Sequence, residues 1–183
     1  MSHIKFNCYT EDVHYLIAKS IKSFLKEDMV IMCIGSDLYI GDAFGPLVGT
    51  FLSNNVFLEN KVYGTLKNPI TSRNINEMTR KIQAENPNKK ILVIDAMISR
   101  SLEVGDIIVM DSGISPGLGV KKMFPRVGDI SLTCVVSNDE VDYLNSIKDM
   151  RLNTVFYMAQ IASKSLLLSL GLSYNLKNQL KTI

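Results

Sequence analysis

Two apolar runs, MVIMCIG (Met29–Gly35) and ILVIDA (Ile91–Ala96, whose one polar residue is Asp95), constrain the fold more than any other feature of this chain. A strand with one wet face alternates polar and apolar residues, whereas a run that is apolar at every position has to be covered on both sides. Strands in the middle of an α/β sheet meet that demand, and the segments between the runs carry the helical spacing such a sheet needs. Glu11–Lys26 places Val13, Leu16, Ile17, Ile21, Phe24 and Leu25 at helical intervals, with Thr10 as the expected N-cap. Pro46–Asn54 reads as a helix with proline at its first position, and Ser72–Glu85 as one closed by the breaker cluster ENPNKK. KVYGTL around Val62 is a weaker strand signal; DIIVM (Asp106–Met110) and ISLTCVV (Ile130–Val136) are further strands. Helical patterns at Asp139–Ile147 and Leu152–Leu170 follow. The expected architecture is one α/β domain over residues 1–183: a three-layer sandwich with a mostly parallel or mixed sheet.

The bulk numbers narrow the function classes. Of 183 residues, 46% are hydrophobic and 21% charged, which suits a globular core rather than a disordered chain. A net charge of +2 lacks the basic field of a nucleic-acid binder. Cys8, Cys33 and Cys134 are odd in number and widely spaced, so they form neither a disulfide framework nor a CxxC metal pair. Reduced, buried thiols in a cytoplasmic protein are the expectation. The N-terminus shows no signal-peptide pattern. The most apolar window, Thr154–Leu172, is broken by Gln160, Lys164 and several serines, so it reads as a core helix or a subunit contact rather than a membrane span. A homo-oligomer is compatible with that helix, through Phe156, Met158, Ile161, Leu166 and Leu168.

In open α/β sheets, ligands bind outside the carboxyl ends of the strands. Asp42 lies there, in the loop GSDLYIGDAFGP; Asp95 ends the run ILVID, and Asp111 follows DIIVM. Asp37 stands early in the first loop. Asp37 and Asp111 read first as acids that hydrogen-bond loop amides. Asp42 and Asp95 carry more. Gly41 and Gly45 free the backbone around Asp42 for close approach. If the two strands are neighbours, both carboxylates face one cleft, where one proton tends to be shared. Such a pair can deprotonate a water while protonating a leaving group. Arg100, five residues past Asp95, either orients a carboxylate or is an ordinary exposed arginine. The Gly/Pro-rich stretch DSGISPGLGVKKMFPRVGD is long for a plain connection and reads as a functional loop whose amides could hold an anion. His3 and His14 lie far in sequence from the glycine loops and are expected at the surface, so a histidine triad or zinc site lacks its parts. No GxxxxGK[ST] or GxGxxG motif is present. No cofactor and no resident metal are expected.

Three ordered segments between about Met29 and Val136 resemble the spore germination protease family, an aspartic-type endopeptidase group. They are Asp42-Ala43-Phe44-Gly45-Pro46, Ile94-Asp95-Ala96-Met97-Ile98-Ser99-Arg100 and the stretch from Asp111 through Gly113, Gly117 and Gly119 to Val120. The length is more similar to the small YyaC-type sporulation proteins of the same superfamily. The resemblance implies a phosphorylase/hydrolase-like α/β sandwich shared with hydrogenase maturation endopeptidases. It also implies that Asp42 and Asp95 are the essential acids; Asp37, Arg100, Asp111, Gly113, Gly117 and Gly119 are expected to shape a cleft for a protein or peptide substrate. In the maturation enzymes equivalent acids bind nickel in the substrate with a histidine, and no histidine follows His14 here. The expected function is peptide hydrolysis in a spore-forming cell; the same acids would also serve a non-catalytic peptide- or metal-holding module.

Overall fold

A computed structural model of the chain describes residues 3–24, 29–56, 58, 61–117, 124–139 and 141–172. Its strands are β1 (His3–Asn7), β2 (Met29–Cys33), β3 (Val62–Tyr63), β4 (Lys90–Ile98), β5 (Asp106–Met110) and β6 (Ile130–Ser137). Its α-helices are α1 (Val13–Lys22), α2 (Phe44–Ser53), α3 (Ile75–Glu85), α4 (Tyr143–Lys148) and α5 (Leu152–Ser169), with a 3₁₀ turn over Gly41–Ala43. The strands form one mixed sheet in the order β1-β5-β6-β4-β2-β3. β3, β2, β4 and β6 run parallel, β5 runs against β6, and β1 runs against β5.

The two apolar runs are the adjacent strands β2 and β4, paired from Met29–Lys90 to Cys33–Ile94. Alternate residues feed two cores. Ile31, Cys33, Leu92, Ile94, Leu132 and Cys134 face α1, α2 and α5, while Val30, Met32 and Val93 face Ile75 and Ile82 of α3, together with Ile70 and Val127. This is the three-layer α/β architecture that the apolar runs demanded. α5 lies in the larger core. Ser163 and Ser165, buried there, donate to the carbonyls of Ala159 and Ile161 four residues back, which removes the cost of burying a hydroxyl. Among the described residues no helix is long and apolar enough to cross a membrane.

Several local expectations are corrected. α1 starts at Val13 after Asp12, whose φ of 53° is left-handed, so Thr10 is not its N-cap. α2 starts at Phe44 because the 3₁₀ turn runs straight into it, and Pro46 is its third residue. That position still lies in the first turn, where a missing N–H costs nothing. β4 continues three residues past Asp95, because Ala96 and Met97 still pair with Cys134 and Val135 of β6. β1, too short for a clear periodicity, is held by Lys5 and Asn7, both of which donate to the buried Asp106 carboxylate. His14 is buried between α1 and α5 rather than exposed; it packs on Tyr15, and its Nε2 has no hydrogen-bond partner.

Leu166 is fully buried on α5, whereas Leu152 at the start of the same helix is 57% exposed. Leu166→Ala is expected to cost about 2–5 kcal/mol in urea denaturation, and Leu152→Ala under about 0.5 kcal/mol.

Candidate active site

The site begins with two glycines. β2 ends at Cys33, and Gly35 follows at a φ of 142° that side-chain-bearing residues rarely adopt. Its amide donates to the Ile70 carbonyl at 2.9 Å, and the Ser36 amide donates to the Asp42 carbonyl at 3.1 Å. A Cβ built on Gly35 would lie 2.1 Å from that Asp42 oxygen, and one on Gly45 would lie 2.0 Å from the Ile34 oxygen. The 3₁₀ turn therefore rests directly on the end of β2, backbone against backbone. Asp42 is carried down with it. Burial pushes the Asp42 carboxyl up to about 6, against a weaker opposing hydrogen bond from the Ser36 amide.

Asp95 arises inside the sheet. It is the sixth residue of β4, opposite Thr133 of β6, and it is 9% exposed. Residues two apart on a strand share a face, so its side chain stands on the face of Val93 and Met97. Burial, then the charge of Asp42, pushes the Asp95 carboxyl well above the carboxylate range; a hydrogen bond from the Ala96 amide opposes both. The 3₁₀ turn packs on β4, so the charge of Asp42 is felt at Asp95. Beside them the Thr133 hydroxyl donates to Met97 Sδ at 3.2 Å.

The remaining expected site residues do not converge on this pair. Asp37 is exposed in the turn after β2. Arg100 is exposed beyond β4, and its charge acts on Asp139, a carboxylate held low chiefly by amide hydrogen bonds from Asp142 and Val141. Asp111 is exposed and follows β5, whose reversed direction carries it to the rim where β4 and β6 begin. The chain then returns across the sheet: Gly113 packs on the carbonyls of Val127 and Gly128, and Gly128 packs on Val93, two residues before Asp95. Gly117 is partly buried with a φ of 91°, and Gly119 lies outside the described residues. The segment therefore flanks the Asp95 face without bringing the Asp111 carboxylate to it. The three thiols are buried, and burial raises all of them, Cys8 to about 12. The Cys134 thiol donates to Met158 Sδ at 3.2 Å. Among the described residues no group of three or more His, Cys, Asp or Glu side chains could hold a metal ion. Sequence reasoning passed over Gly35, although a glycine closing an apolar run is a signal for close backbone approach.

Residues 2–165 match the family described as "Protein of unknown function (DUF1256)". The chain belongs to this family. A Bacillus subtilis (strain 168) relative, "Uncharacterized protein YyaC", is 30% identical over 159 residues, covering 87% of this chain and 78% of the relative. Among solved structures, a [NiFe] hydrogenase maturation protease, HycI from Thermococcus kodakarensis KOD1, superposes with a TM-score of 0.51 at 19% identity. That superposition covers 82% of this chain and 98% of HycI. At that identity the likeness establishes a shared fold.

In this DUF1256 chain the raised acids contribute a pH-dependent part of the stability. A carboxyl whose folded-state value is raised favours the fold while protonated. Its contribution is complete below the ordinary value of 3.8 and is lost as pH rises through the folded value, about 6 for Asp42 and higher for Asp95. His14 acts in the opposite sense: burial, with Lys164 nearby, lowers it, so its contribution grows as pH rises towards 6.5. Asp106, where hydrogen bonds from Glu103, Asn7 and Lys5 outweigh burial, acts only below the carboxylate range. Comparison with a neutral variant isolates the pair. Asp42→Asn should be more stable than wild type by about 1–3 kcal/mol near pH 8 and nearly equal to it near pH 4. Thermal melts across that range check it.

Proposed function

We propose that this chain is an aspartic-type endopeptidase in which Asp42 and Asp95 activate water for peptide-bond hydrolysis. One observation supports the reading: the turn that carries the half-buried Asp42 packs on β4, the strand of the buried Asp95, and burial raises both carboxyls, Asp95 also through the charge of Asp42. Structural acids are usually arranged the other way, with partners that hold them ionised, as Lys5 and Asn7 do for Asp106. Buried acids pushed upward cluster at catalytic sites.

The asymmetry assigns roles. Asp42 ionises first and is the base at neutral pH, while the deeper Asp95 keeps the shared proton. Asp42 takes a proton from water as its oxygen adds to the peptide carbonyl carbon. Asp95 gives its proton to the amide nitrogen as the C–N bond breaks, leaving a carboxylic acid and an amine. The fold shared with a hydrogenase maturation protease supports a peptidase by analogy. Kinship with the spore germination protease and a role in sporulation are part of this proposal and rest on the resemblance of the three motifs.

The test is incubation of the full chain with a proteome-derived peptide mixture, with new termini read by mass spectrometry. Asp42→Asn and Asp95→Asn should each lower the cleavage rate by about 10²–10⁴-fold while keeping the wild-type circular dichroism. The wild-type rate should fall as pH drops below about 6. Cleavage at the wild-type rate by either folded variant would end the reading.

A further inference from the structure

A groove of about 720 Å³ opens between the end of β3 and α3. Its lining includes Tyr63, Lys67, Asn68, Arg73, Asn74 and Lys81, and none of its lining residues is acidic. Lys67 and Arg73 are exposed and have no acidic partner among the described residues; Lys81 has only a 4.0 Å contact with the exposed Glu85. Surface cations are usually just solvated, so three of them alone would mean little. Three further observations set this groove apart.

Its walls are built. The Asn74 side chain accepts from the Thr71 amide at 2.8 Å and donates to the Pro69 carbonyl at 3.1 Å, and the Thr65 and Asn68 amides donate to each other's carbonyls. Among the described residues β3 is the outermost strand, beside β2, so the groove lies at an edge of the sheet. An extended chain can pair with such an edge through its backbone. Finally, the groove wall lies two strands away in the sheet from Asp95, with the buried Ile34 and Ile70 between them. Ile34 pairs with Ile70 on one side, and its amide donates to the Ile94 carbonyl, next to Asp95, on the other. Ile70 thus stands two strand spacings from the Asp95 position, about 10 Å, with Pro69 and Thr71 on either side of it in the groove wall. Ile34 and Ile70 share the second core with Val93, on the face from which Asp95 projects.

We infer that this groove is the substrate subsite: it seats an extended peptide segment bearing Asp or Glu side chains, which Lys67, Arg73 and Lys81 read. The inference rests on the peptidase reading and supplies its substrate class. The acid pair repels carboxylates, so a cationic groove one segment away sets the polarity of the whole site: acidic residues bind at the groove, and an uncharged bond lies over Asp42 and Asp95.

The test is fluorescence polarisation on the full chain with two short fluorescein-labelled peptides, one alternating Glu with Val and Ala, the other its Gln twin. The acidic peptide should bind about tenfold or more tightly than the twin, and its affinity should fall with added salt. Lys67→Ala with Arg73→Ala should lose about tenfold. Lys19→Ala with Lys22→Ala, which removes the same charge from exposed positions on α1, should bind like wild type. Equal affinity for the two peptides, wild-type affinity in the groove variant, an equal loss in the α1 variant, or tighter binding of a labelled oligothymidine would each overturn the inference. Polarisation does not require hydrolysis, so a catalytically silent acid pair leaves this test intact. A groove without affinity leaves the Asp→Asn assays intact.

Discussion

The contact on which the site depends is backbone on backbone, where the turn carrying Asp42 sits on the end of β2. Gly35 and Gly45 leave no room for even a methyl group against the Asp42 and Ile34 carbonyls. A side chain at either place would lift the turn away from the sheet. Because the turn is seated, Asp42 loses much of its water and lies within electrostatic range of Asp95. The upward shift of Asp42, and the charge it adds at the already buried Asp95, follow from that seating.

The two carboxyls come from elements of different character. Asp42 is held by a short turn and keeps some solvent, whereas Asp95 is rooted in a strand paired on both sides, with β2 and β6 as neighbours. The shared scaffold does not by itself dictate this, since one α/β fold supports many chemistries and the site decides among them.

Much of this was legible in the sequence. The apolar runs marked β2 and β4 as buried strands but left open whether they were neighbours; the sheet pairs them directly, which brings the turn after β2 against β4. The direction of β5 was not legible: DIIVM reads the same whichever way the strand runs, and only the pairing of Met110 with Ser131 shows the reversal that removes Asp111 from the pair. The continuation of β4 past Asp95 was hidden because an acid in a strand resembles an acid ending one. His14 was misread because its burial comes from α5, more than a hundred residues away, and no local pattern encodes that packing. The cations of the groove also lie apart, on the loop after β3 and on α3, and only the fold assembles them.

The three thiols have a practical consequence. Each is shut in the interior, where the reactive thiolate is scarce at neutral pH. The folded chain is therefore nearly silent towards maleimides and similar electrophiles. One new cysteine, placed on an exposed position of α3, would take up a spin label or dye without removal of the native three, so distances from that helix to a bound peptide become measurable in the natural background.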